Sequence, residues 1–381
     1  MTIHIVSSGE SITSIAAMYQ IPAWKIIYDN QIRLPDRLVP GQALLIMEEG
    51  TIEGEGSLTL VSEGYAYPFT RPEYLTESFS VLGNLLSFSA GFSMEGQLYP
   101  PEDESMRELA AAYGVPVTLT LTPSDGQGIF SNYLVHQASA FEAVQDRLVE
   151  ELLIQMRGKG YRGVNVDFEY VQKADGEGYL KFVEKLKESL EKEGYLLSVA
   201  LAPKTSDSQT GLLYEGIDYR RLGEIADSVV LMTYEWGYTY SIPMAVAPLN
   251  KVNEVVEYAV SRIVPEKIYM GIPNYAYDWA LPYEKGLTRA TTIGNVDAVQ
   301  IAALHGTVIQ YDETAQTPWF RYTQNGVDHE VWFEDVRSIH AKLLLADSYD
   351  LKGVTYWNLL RPFRANWLLL EGMKKWTEKE G

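Results

Sequence analysis

The stretch Gly163–Tyr170, GVNVDFEY, decides the fold. Val164, Val166 and Phe168 alternate with Asn165, Asp167 and Glu169. Side chains on a β-strand point to opposite faces with period two, so this is a strand with one apolar and one polar face. The polar face holds an amide and two carboxyls. Such a D-x-E pair is usually a solvated edge. Here the flanking residues are apolar, and the stretch sits fourth in a regular series of strands and helices.

That series begins at Leu58. Its strands are SLTLVSEGYAYPF, NLLSFSAGF, VPVTLTLTP, RGVNVDFEY, YLLSVALAPK, DSVVLMTYEW, KIYMGIPNYAYDW and KGVTYWNL. Helical patterns lie between them, at Glu102–Tyr113, Ala138–Lys159, Gly178–Glu193, Asp218–Ile225 and Lys251–Ile263. Eight strand–helix alternations predict an α/β protein whose main domain, residues 58–381, is a (β/α)₈ TIM barrel. Between the last two strands, TVIQYDE, PWFRYTQNG and VDHEVWFED predict a small α+β insertion over residues 282–333. A helix over Glu334–Ala346 then leads into strand eight.

Parallel barrel strands are buried on both faces and should be apolar. Active sites gather at their C-terminal ends. Asp167 and Glu169 end strand four, and Tyr234 and Glu235 end strand six. Asn274, Tyr275 and Tyr277 end strand seven, and Trp357 and Asn358 end strand eight. Convergence of these ends on one rim predicts a site. Residues two apart on a strand point the same way, roughly 6.6 Å apart. Asp167 and Glu169 therefore aim into one cavity, where two close carboxyls resist double ionisation. A carboxylic acid kept protonated near neutral pH can protonate a leaving glycosidic oxygen. Glu169, nearer the mouth, is the candidate acid. Rim aromatics can stack on the apolar CH faces of sugar rings.

Composition narrows the function classes. The 381 residues carry a formal net charge of -20 and no cysteine. Such acidity argues against nucleic acid and against anionic membrane as partners. Without cysteine there is no disulfide, thiolate metal site or cysteine nucleophile. The five histidines are scattered without metal-ligand spacing. No metal and no cofactor are called for, and a monomer is expected. The N-terminus lacks a basic start followed by an apolar run, so it does not read as a signal peptide.

Residues 49–57 read as a Gly/Glu-rich linker. Ahead of it, residues 1–48 read as a βααβ unit. His4–Val6 is a strand, and Ser11 opens a helix with Ile12, Ile15, Ala16 and Tyr19 on one face. Pro22 opens a second helix with Trp24, Ile27 and Tyr28 apolar and Asn30 at its end. PGQALLIM closes the unit with a turn and strand. VSSGESITSIAAMY, IYDNQI and LVPGQALLI resemble the LysM domain, which binds N-acetylglucosamine in peptidoglycan or chitin-like glycans. One copy is present, so repeat avidity is absent.

GYRGVNVDFEY, with MTYEW on strand six and TYW on strand eight, resembles glycoside hydrolase family eighteen, whose fourth strand reads D-x-x-D-x-D-x-E. The resemblance runs from about Leu58 to Trp376. It implies substrate-assisted hydrolysis with retention. Glu169 would protonate the leaving oxygen, and the substrate's N-acetyl carbonyl would attack the anomeric carbon to form an oxazolinium ion. Asp167 would orient the acetamido group, Tyr234 would donate a hydrogen bond to its oxygen, and Trp357 would form the floor. Asn165, Tyr275, Glu235, Met232 and Tyr67 are the further substrate-binding candidates. Three positions depart from the family pattern. Arg162 stands where the first aspartate would be, Asn165 replaces the middle one, and Glu235 follows Tyr234 where aspartate is usual. A LysM module ahead of such a barrel looks like the spore cortex-fragment-lytic N-acetylglucosaminidases of spore-forming bacteria. That likeness implies location in the spore coat or cortex after synthesis in the mother-cell cytoplasm without a signal peptide. A chitinase, a non-catalytic glycan-binding barrel and a structural coat protein are the competing readings.

Overall fold

The computed structural model describes residues 1–47 and 58–374. The expected linker lies outside the described residues. In the N-terminal unit, Thr2–Ile5 pairs antiparallel with Ala43–Ile46. Between them run helices Ile12–Tyr19 and Ala23–Asp29. Ser11 caps the first helix by accepting the Ser14 N–H at 3.1 Å, which satisfies one of the four free donors of a helix start. Asn30 explains its place in the motif. Its side chain donates to Leu45 O at 2.8 Å and accepts from Leu45 N at 2.7 Å, tying the second helix to the last strand. Ile15, Ile26, Leu44 and Ile46 fill the core. Trp24 and Tyr28 do not join it; they are 66% and 57% exposed, and Ile26 turns inward instead. A seven-residue helix has too few turns for the spacing to decide its buried face.

Eight parallel strands form the barrel: Val61–Ala66, Leu82–Phe92, Val117–Leu121, Gly163–Val166, Leu196–Leu201, Ser228–Leu231, Ile268–Pro273 and Gly353–Trp357. Each pairs with its neighbour, and the first pairs with both the second and the eighth, which closes the ring. Helices cover the outside through apolar faces such as Leu180, Val183, Leu186 and Leu190. The helical pattern over Ala138–Lys159 divides into Asn132–Ala140 and Glu142–Lys159. Phe141 is extended at the break, and Gln145 Nε2 reaches back to Ala138 O at 2.9 Å. No described helix is long and apolar enough to cross a membrane.

The extra sheet after strand seven starts earlier than residue 282. Ala276–Leu281, read from sequence as the end of strand seven, is the first strand of a five-stranded antiparallel sheet. The others are Thr291–Ile293, Gln310–Asp312, Thr317–Gln324 and Val327–Trp332, with helix Asn295–His305 against the sheet. Asn274 makes the turn. Its N–H donates to Trp357 O at 2.8 Å, and its side chain donates to Asn358 O and Arg361 O at 2.9 and 3.0 Å.

The N-terminal unit sits on this sheet and on the helix after strand eight. Ile309 N donates to Pro40 O at 3.0 Å, and Arg337 donates to Gly41 O at 3.0 Å. The Arg364 N–H donates to Gln31 Oε1 at 2.9 Å. Gly41 has φ +84, and a Cβ there would lie 1.9 Å from Ile309 O, so only glycine fits the contact.

Candidate active site

The regular strand ends at Val166, one residue before the first carboxyl. Asp167 N still donates to Leu121 O at 2.9 Å, continuing the ladder. Phe168 points outward and stacks with Phe92, Tyr179 and Phe182, at ring distances of 5.6–5.8 Å. This anchor leaves Asp167 and Glu169 to face the mouth. Tyr170, with φ 60, turns the chain away.

Asp167 is 5% exposed, and its Oδ1 has no hydrogen-bond partner. Burial, then the charge of Glu169, pushes its pKa well above the usual carboxylate range. Burial, then the charge of Glu235, also pushes Glu169 up. The two acids thus share one poorly solvated mouth, where neither ionises freely. The rise in Tyr234's pKa, caused first by burial and then by the charges of Asp167, Glu169 and Glu235, sets that hydroxyl among all three carboxyls as a proton donor. Its ring packs on Gly271 of strand seven, where an added Cβ would lie 2.7 Å from Cε1.

The remaining candidates differ in what they touch. Asn165 is fully buried beneath the acids. It accepts from the Tyr65 hydroxyl at 3.0 Å and donates to Ser198 Oγ at 3.1 Å. Glu235 stands at the rim with φ 68, a conformation uncommon for a residue with a side chain. It accepts hydrogen bonds from the Tyr275 and Tyr277 hydroxyls. Burial raises its pKa, and these bonds pull it back down. Tyr275 is 4% exposed, and its hydroxyl is committed to Glu235, so it holds that carboxyl in place. Trp357 packs edge-on against Tyr65 at 5.2 Å and Phe88 at 4.9 Å, with Tyr67 at 6.2 Å. Together they make an aromatic floor on strands one, two and eight. Met232 is half-buried two residues before Tyr234, with no hydrogen bond or ring contact joining its side chain to the cluster among the described residues.

Sequence reasoning passed over Tyr65, Phe88, Ser198 and the clamping role of Tyr277. Tyr65 had a signal: it lies two residues before Tyr67, on the same face of strand one. No group of His, Cys, Asp or Glu among the described residues is arranged to hold a metal ion.

The arrangement offers a half-buried acid beside an unpartnered carboxylate oxygen, a phenolic donor and a ring-lined floor. Comparison with known proteins agrees with that chemistry. The glycosyl hydrolases family 18 model matches residues 106–361, and the LysM domain model matches residues 4–46. The chain is 38% identical to the cortical fragment-lytic enzyme of Bacillus subtilis, over 97% of each chain. Among solved structures it resembles the spore cortex-lytic enzyme SleL of Bacillus megaterium, with a TM-score of 0.92 and 34% identity over 99% of each chain. It also resembles a chitinase of Chromobacterium violaceum, with a TM-score of 0.76 and 25% identity over 83% of this chain and 99% of that one.

Proposed function

From the premise that the chain belongs to glycosyl hydrolase family 18 and carries a LysM domain, we propose that it is a retaining, substrate-assisted β-N-acetylglucosaminidase of spore cortex peptidoglycan. The observation that carries this reading is the Asp167–Glu169 pair, with its buried and unpartnered Asp167 Oδ1. An acetamido N–H is the donor this oxygen lacks. Bound there, the acetamido group presents its carbonyl oxygen to the anomeric carbon. Glu169, its ionisation disfavoured by burial, gives its proton to the leaving oxygen as the C–O bond breaks. The carbonyl oxygen bonds to the anomeric carbon, and the positive charge of the resulting oxazolinium ion lies against Asp167. The Tyr234 hydroxyl donates to the acetamido oxygen and fixes its approach. Glu169, now ionised, takes a proton from water as that water opens the ring with retained configuration. Trp357, Tyr65, Phe88 and Tyr67 carry the apolar face of the sugar.

The cortex as substrate is supported by the names of the cortex-lytic relatives, each matched over nearly its whole length. The LysM domain would hold the same glycan, and the spore is then the place of action. The test is product analysis by mass spectrometry on cortex fragments and on chitin oligomers, with Glu169→Gln beside the wild type. Cortex products ending in reducing N-acetylglucosamine, reduced roughly 10²–10⁴-fold by the substitution, are expected. Cleavage of chitin oligomers alone would move the substrate to chitin. Cleavage of neither, with glycan binding retained, would leave a binding barrel.

A further inference from the structure

A second cavity, of about 500 Å³, opens between the loops that follow strands three and four. Phe130, Ser131, Asn132, Tyr133, His136, Gln172 and Asp175 line it. That volume suits a small-molecule or single-sugar site. Nothing in the mechanism above uses these residues.

The walls are held firmly although they are exposed. The loop after strand three folds back on itself. Asp125 N donates to Ile129 O, Ser131 N donates to Pro123 O, and Asp125 Oδ1 accepts from Gln127 N and Ile129 N at 2.9 and 3.0 Å. This hairpin presents Ile129 and Phe130 outward. The next helix, Asn132–Ala140, carries Tyr133 and His136 three residues apart, and so as neighbours on one face. Tyr133 is 76% exposed. His136 is oriented from the opposite wall, where its Nδ1 donates to Asp175 Oδ1 at 2.7 Å. Its Nε2 is left to bond a ligand.

The chemistry of the lining selects a ligand class. Two exposed rings supply apolar faces for stacking. Asn132, Gln172 and Ser131 supply amide and hydroxyl groups that bond no other side chain among the described residues. The one carboxyl, Asp175, is taken up by its hydrogen bond with His136. A neutral, many-hydroxyl ring fits this set. The cavity also lies near the catalytic carboxyls along the chain. Gln172 lies three residues past Glu169, about 11 Å at most along the chain. Between them in sequence stands Tyr170, 39% exposed.

Resting on the glycosidase reading, we propose that this cavity is a second glycan subsite, holding a neutral sugar of the same chain that is cut at Glu169. The enzyme then favours chains that run beyond the cleaved bond toward strands three and four.

Two measurements test this with the soluble hexamer of N-acetylglucosamine. The first is the dissociation constant for Glu169→Gln and for Glu169→Gln/Tyr133→Ala, read by calorimetry, with circular dichroism confirming the fold of both. A roughly tenfold weaker hexamer complex in the double variant, about 1.4 kcal/mol, is expected. Equal affinities would overturn the proposal. The second is the ratio of kcat/KM for the hexamer to that for a chromogenic dimer. Tyr133→Ala and Gln172→Ala should each lower that ratio mainly through KM; ratios equal to wild type would also overturn it. If the wild type cleaves neither of these substrates nor cortex fragments while the binding difference persists, the glycosidase reading fails and the subsite stands.

Discussion

Two buried acids occupy opposite ends of the same barrel, and they are treated differently. Glu63, on strand one, is 4% exposed. Its carboxyl accepts from Asn84 Nδ2 at 3.1 Å and from Thr355 Oγ1 at 2.8 Å. Burial raises its pKa, and those two bonds pull it down. Asp167, on strand four, is as deeply buried, yet one of its oxygens has no partner and its nearest strong influence is another carboxyl. A buried polar group left unpaired costs free energy that folding alone gives no reason to spend. Glu63 is therefore a finished part of the barrel, whereas Asp167, on the proposed mechanism, is completed by a donor on the substrate. These two acids are buried alike, and their hydrogen bonding is what differs.

Asp167→Asn is the strongest test of that contrast. On the proposed mechanism it removes the charge that faces the oxazolinium ion, so kcat should fall roughly 10²–10³-fold. Stability should move the other way. A carboxyl whose pKa is raised by folding contributes its full stability below the unfolded value and loses it as pH rises through the folded value. At neutral pH the asparagine variant escapes that cost, and its Tm should exceed that of wild type by roughly 2–4 °C. The gain should vanish in acid. Calorimetric scans across pH read this, and a lower Tm at neutral pH would mean that Asp167 has a structural partner.

Glu63→Ala should give the opposite pattern with a smaller effect. The Asn84 amide and the Thr355 hydroxyl lose a partner, partly offset by removing a buried carboxyl. A loss of about 1–3 kcal/mol is expected, read as a lower urea midpoint. Turnover per folded molecule should stay at the wild-type level. A large fall in kcat without a fall in stability would place Glu63 among the working acids.

The same contrast shows what the sequence could disclose. Strand periodicity and the eightfold alternation were legible, because period-two and period-3.6 patterns follow directly from backbone geometry. Asp167, Glu169, Tyr234 and Trp357 stood out because polar or bulky residues interrupted apolar strands at one end. Partnership was not legible. Asn165 resembles a rim residue in sequence, but Tyr65 and Ser198, 100 and 33 residues away, bury it. Tyr275 reads as a sugar platform, but Glu235, 40 residues earlier, takes its hydroxyl. Phe88 sits inside an apolar run and gives no sign that it supports Trp357. Such pairings depend on which strands become neighbours across the barrel, and no local pattern encodes that. The cavity at Phe130–His136 was hidden for another reason: the helical pattern was read from Ala138, which left its walls in an unassigned loop.

The smallest and most specific test concerns Asn165. Both ends of its amide are occupied, so it has no proton to exchange with Asp167. Asp167 and Glu169 must then settle their protonation between themselves. Asn165→Asp would add a carboxyl two residues from Asp167 on the same face, roughly 6.6 Å along the strand. The fold should accept it, because the Tyr65 hydroxyl already donates to this position and the Ser198 hydroxyl can rotate to donate. A nearby like charge disfavours ionisation of Asp167, and acting directly on Glu169 it disfavours that ionisation as well. Glu169 works as an acid only while protonated, so activity is lost as pH rises through its raised pKa. Lifting that pKa further moves the basic limb of kcat/KM to higher pH. The measurement is the pH profile of kcat/KM for wild type and Asn165→Asp on one soluble oligomer. A limb that moves upward ties the asparagine to the pH range of the acid pair. An unmoved limb would mean that residue 165 is insulated from both carboxyls, and that Glu235 alone, the charge that already raises Glu169, sets the range.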